Sequence, residues 1–174
     1  MKPKKMIKHK IYKEPTDEQK KELYKFYEII FDSDFTLTKK RSLITAVLSY
    51  ETWSWRVVGV TEEAIKSIAR NNFNKPNKTL ARDHSVSRVE TYNKVFEVKM
   101  PFKDWWKLIW ENDKTTLMTN KEHQVIKTKP PSKIYPINPF DNYFIGAGLI
   151  GWHQTKSREG AFIKALCVQH NIDY

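Results

Sequence analysis

The chain has 174 residues, 40% of them hydrophobic, with 6 Trp, 8 Tyr and 9 Phe; it is apolar enough to bury a core, which excludes a disordered polymer. It carries 31 Lys and Arg against 20 Asp and Glu, a net charge of +11, which points to a polyanionic partner, nucleic acid foremost. No stretch reads as a membrane span or as a basic amphipathic helix, no secretory signal opens the chain, and Cys167 as the lone cysteine excludes an internal disulfide and a Cys-rich zinc knuckle, so a cytoplasmic protein in a reducing compartment is expected.

Residues 1–15 hold Lys2, Lys4, Lys5, Lys8, Lys10 and Lys13 ahead of Pro15, either a solvated tail or a basic arm lying along phosphates. TDEQKKELYKFYEIIF predicts a helix capped by Thr16, with Leu23, Phe26, Tyr27, Ile30 and Phe31 at helical spacing. LTKKRSLITAVLSY (37–50) predicts a second helix. WSWRVVGV (53–60) reads as a strand ending at Gly59. TEEAIKSIARNNF reads as a helix capped by Thr61, with Ile65, Ile68 and Ala69 on one face, and Glu62 and Glu63 compensating its dipole. The turn cluster NKPNK (74–78) reads as a joint by composition alone.

Beyond it, TLARDHSVSR reads as a strand with a polar end. ETYNKVFEVKM (90–100) has strand character at Val95, Phe96 and Val98. Pro101 opens the helix FKDWWKLIW, whose Trp105, Trp106 and Trp110 suit core packing better than base stacking. TTLM is extended, and TNKEHQVIKTK is a helix with Thr119 and Glu122 as a capping pair. KPPSKIYPINP (129–139) reads as an extended linker or wrap. SREGAFIKALCVQHNI (157–172) contains a final helix that buries Cys167 as a structural thiol. The expected organisation is an α+β fold with a basic arm (1–15), a helical region suited to nucleic acid (16–75), a core (76–130) and a Pro-rich linker with a helical extension (131–174).

The chemistry-bearing constellation is ARDHSVSR (81–88), followed by WENDKTTLMTNKEHQ (110–124). Phosphodiester hydrolysis needs a base active near neutral pH, which histidine supplies, and a hard cation with an acidic ligand. Adjacent strand residues point to opposite faces, so Asp83 and His84 reach one phosphate only if the strand end bends. In its order of Asp83–His84, Ser85, Val86, Asn112, Leu117 and His123 on a terminal helix, the segment from Arg82 to Lys127 resembles the HNH, or ββα-metal, nucleases, especially their phage and mobile-element branch.

The resemblance covers roughly a quarter of the chain. It implies a ββα-metal core, His84 as general base, Asp83 and His123 as ligands of Mg²⁺ or Mn²⁺, and Asn112 as the brace of His84, with Asn120 as the alternative. Two features depart from the family: a long stretch with a Trp-rich helix separates His84 from Asn112, and zinc-stapling cysteines are absent, so no structural zinc is expected. Arg82 and Arg88 are candidate phosphate clamps. Lys66, Arg70, Asn71, Asn72 and Asn74 offer a helix face to a groove, and Lys156 and Arg158 flank His153 near a glycine cluster. The expected function is a metal-dependent endonuclease on double-stranded DNA, homing-type, acting as monomer or homodimer. The competing readings are a small type II restriction endonuclease, a non-catalytic DNA-binding regulator and an RNA-binding protein.

Overall fold

The computed structural model describes residues 14–49, 51, 53–74, 79–141, 143–144 and 156–174. The expected arm up to residue 13 (with His9), residues 75–78 of the joint and His153 with its glycine cluster lie outside the described residues. Among those described, seven α-helices accompany a four-stranded mixed sheet, so the fold class is α+β.

Local signals set most helix ends. Thr16 caps α1 (Asp17–Asp32) in a reciprocal box with Gln19. The second helix, α2, spans Leu37–Ser49 and packs on α1. The strand β1 is Val57–Thr61; residues 53–55, expected as its start, instead form a turn in which Trp55 takes a left-handed φ of 60°. Thr61 ends β1 and caps α3 (Glu62–Arg70), its hydroxyl accepting from the Ala64 N–H. β2 is Leu80–His84.

Residues 90–100 correct the sequence expectation. They belong largely to a helix, α4 (Arg88–Glu97), nucleated by a Ser87–Glu90 capping box, and Tyr92 and Val95 turn inward at helical spacing. Capping and burial outweigh the strand preference of Val95 and Phe96. Then come α5 (Phe102–Asn112), β3 (Thr115–Thr119), the short α6 (Asn120–Val125), β4 (Ile134–Pro136), a 3-10 turn (Pro139–Asp141) and α7 (Lys156–His170).

The sheet order is β2-β3-β1-β4. β2 runs antiparallel to β3, with Asp83 opposite Thr116 and His84 opposite Thr115; β1 is parallel to β3. The proline-rich segment is more than a linker, because β4 pairs antiparallel with β1 through Ile134, Tyr135 and Pro136. It is an edge strand, where proline is tolerated. The sheet thus takes strands from segments that the sequence reading separates, and they fold together.

Two apolar clusters form. One combines Val57, Val60 and Leu117 of the sheet with Ile65 and Ile68 of α3 and Ile163 and Cys167 of α7. The other gathers α1, α2, α4 and α5 around Tyr27, Ile44, Trp53, Val95 and Trp105. Trp105 is buried and stacks on Tyr27 at 5.3 Å, and Trp106 stacks on Trp110 at 5.7 Å, so these tryptophans are core residues. Burial also pushes the Cys167 thiol up from its ordinary pKa.

Candidate metal and nucleic-acid site

β2 sends its side chains to two faces, and the faces hold different chemistry. On one, Asp83 meets His123 of α6, with Oδ1 3.4 Å from Nε2. The Asp83 side chain is 22% exposed and that of His123 46%, so the pair opens to solvent. The Thr119–Glu122 capping box begins α6 directly at the end of β3 and so places His123 beside β2. A β2–β3–α6 unit therefore brings the two expected metal ligands together, although α4 and α5 are inserted between its strands.

His84 faces the other way. Its side chain is 7% exposed, its ring meets Trp55 edge-on at 4.7 Å, and its Nε2 lies 3.7 Å from Oδ1 of Asp113, too far for a hydrogen bond. That nitrogen is buried without a hydrogen-bond partner among the described residues. Asp113, equally buried, accepts from the Trp55 N–H at 2.6 Å and lies 3.5 Å from the Arg88 guanidinium. Sequence reasoning missed Asp113 and Trp55; only the register that puts Thr115 against His84 reveals the carboxylate two residues earlier.

The other expected residues are distributed as follows. Asn112 does not reach His84; its amide donates to Thr91 of α4 at 3.2 Å. Asn120 opens α6 on the surface, its backbone N–H bonded to the Thr79 carbonyl at 2.9 Å. Arg82 lies inside, donating to the carbonyls of Trp55 (3.1 Å) and Phe144 (2.6 Å); burial pushes its pKa down to about 10, which still leaves it charged at neutral pH. Arg88 donates to Ser49 and lies over the Trp55 ring at 4.8 Å. Both arginines thus face inward rather than toward a solvent-borne phosphate.

Lys66 is paired with Glu62 at 2.8 Å and Glu63 at 3.4 Å, contacts that hold its ammonium above the ordinary pKa. Arg70 is exposed at the end of α3, and Asn71 and Asn74 bond within the following turn. Arg158 donates to the Asp141 carbonyl at 2.7 Å, and the side chain of Lys156 lies outside the described residues. No helix among the described residues is long and apolar enough to cross a membrane. Compared with known proteins, the chain matched no family model, no curated protein and no solved structure.

Proposed function

We propose that the protein is a divalent-metal-dependent endonuclease that hydrolyses phosphodiester bonds in double-stranded DNA, with β2, β3 and α6 as a ββα-metal unit of the HNH kind. The observation that carries this reading is the partly exposed Asp83–His123 pair, 3.4 Å apart at the junction of those elements. One carboxylate oxygen and one imidazole nitrogen suit Mg²⁺ or Mn²⁺, which keep water and substrate phosphate as further ligands. Among the described residues no group of three or more His, Cys, Asp or Glu is placed to hold a metal, so of those residue types the pair alone would hold the ion. Asp83 and His123 would hold the cation, which would supply charge compensation at the phosphate and at the leaving oxygen.

Asp83 and His123 bind and orient, and the α6 capping box fixes His123. His84 is the general base in this reading. To serve, its imidazole must leave Trp55 and Asp113 and turn to the Asp83 face. The inward packing of His84 favours a second reading, a basic DNA-binding regulator without catalysis, because no substrate reaches that nitrogen where it lies.

Incubating supercoiled plasmid and phage DNA with Mg²⁺, Mn²⁺ or EDTA separates the two. The nuclease reading expects metal-dependent cutting by the wild type, reduced roughly 100-fold or more in Asp83→Ala and His123→Ala. Loss of cutting in His84→Ala with DNA binding intact assigns the base. Cutting that survives in Asp83→Ala sinks the metal pair, and tight binding without cutting in any metal supports the regulator.

A further inference from the structure

We infer that residues 120–133 form the surface that grips the duplex phosphate backbone, with Lys121, Lys127, Lys129 and Lys133 as its cations. The inference rests on the nucleic-acid reading above and names the surface through which it works. All four lysines are exposed, and the segment holds a single acid, Glu122.

Glu122 does not offset them, because its carboxylate is turned inward; Lys133 does have a neighbouring acid, Glu62 of α3, and lies over the Tyr135 ring at 4.9 Å. One oxygen accepts from the Ser132 N–H at 3.1 Å and the Ser132 hydroxyl at 2.6 Å. The other accepts from the Thr61 hydroxyl and the Thr119 N–H, both at 2.9 Å. These bonds tie the start of α6 to the end of the loop. The Glu62 N–H holds the Lys133 carbonyl at 2.8 Å, and the Lys129 N–H closes on the Val125 carbonyl at 2.8 Å. The lysines therefore project from a fixed backbone, which lowers the ordering cost of binding.

On α1 and α5 the exposed lysines are interleaved with exposed acids. Lys21 and Lys25 share a face region with Glu18 and Glu22, and Lys103 and Lys107 with Asp104 and Glu111. Such faces carry no net attraction for a polyanion. The segment 120–133 runs from the end of β3 past β1 to β4, two inter-strand spacings or roughly 10 Å. Over that reach a duplex, at one charge per about 1.7 Å of axis, presents several phosphates. Lys121 belongs to α6, the short helix that also carries His123, so the gripped backbone and the Asp83–His123 pair share one element.

The test is duplex binding in EDTA at several salt concentrations, with the full chain. We compare the wild type, Lys127→Ala/Lys129→Ala/Lys133→Ala, and the control Lys94→Ala/Lys103→Ala/Lys107→Ala, each checked for folding by circular dichroism. The loop variant is expected to bind roughly tenfold or more weakly, with its log–log salt slope smaller by about 0.9 per lysine removed, and the control to match the wild type. Equal loss in both variants, or no loss in the loop variant, overturns the inference while leaving DNA binding in place. A wild type that binds no duplex, or prefers anionic vesicles or RNA of the same sequence, overturns the DNA reading and the inference together. Binding that depends on the loop without any cutting leaves the inference standing and removes only the nuclease.

Discussion

A single carboxylate, Glu122, links α6, the end of β1 and the turn before β4 through bonds to Thr119, Thr61 and Ser132. Burial raises its pKa, but the hydrogen bonds from Ser132, Thr119 and Thr61 lower it further, and the net direction is down from 4.5. A carboxyl lowered in the folded state adds stability that is fully present above the unfolded pKa, about 4.3. That stability is lost as pH falls through the lowered folded value. In Glu122→Gln the new amide must aim donors at donors, so one side of the network breaks at a cost of about 1–3 kcal/mol at neutral pH. Thermal melts between neutral pH and pH 3 should show the wild type losing its advantage over Glu122→Gln in the acid range. A constant gap across that range would remove the carboxylate from the account. The site is legible at this scale only in part. The order of residues points to Asp83 and His123, and strand alternation warns that His84 faces elsewhere. No local pattern announces Asp113 as the partner of Arg88 and His84, because a buried carboxylate is defined by what folds over it.

α7 meets the turn after α3 at close range. A Cβ built on Gly160 would stand 2.7 Å from the backbone carbonyl oxygen of Phe73, itself at a left-handed φ of 56°. Alanine improves helix propensity by about 1 kcal/mol, but a backbone oxygen cannot step aside as a flexible side chain can. Gly160→Ala is therefore expected to lower the melting temperature, with α7 displaced at a cost of about 1–3 kcal/mol. A higher melting temperature would mean that α7 has room there. The elements most legible in the sequence are those with local punctuation: the Thr16, Thr61 and Thr119 caps all stand where their residue patterns predict. Residues 90–100 mislead because Val95, Phe96 and Val98 have strand preference, whereas the Ser87 capping box and the buried side of α4 decide the outcome. β4 is hidden because its partner β1 lies more than seventy residues earlier, and no short-range pattern encodes a pairing at that distance.

For the whole molecule, the question is how two separate apolar clusters behave as one protein. The sheet, α3 and α7 form one, and α1, α2, α4 and α5 form the other. Between them stands a polar joint: Arg88 from α4, Asp113 after α5, Trp55 before β1, and Arg82 and His84 from β2. Removing one partner of a buried ion pair leaves the other charge stranded, at a typical cost of about 3–5 kcal/mol. Asp113→Ala leaves Arg88 in that position and also frees the Trp55 N–H. The loss falls on the contact between the clusters rather than inside either one. Tryptophan emission reports mostly on the helical cluster, because Trp53, Trp105, Trp106 and Trp110, four of the 6 tryptophans, belong to it, whereas far-ultraviolet circular dichroism follows every element. In the wild type the two signals should change together on urea titration, as a two-state unit requires. In Asp113→Ala the emission midpoint should separate from the dichroism midpoint, as the helical cluster loses its tie to the sheet. The double variant Arg88→Met/Asp113→Leu, which no longer strands Arg88 but still leaves the buried Arg82 without its acid, should bring the midpoints closer together. If Asp113→Ala instead lowers both midpoints equally, the apolar contacts alone couple the clusters, and the polar joint contributes stability without cooperativity.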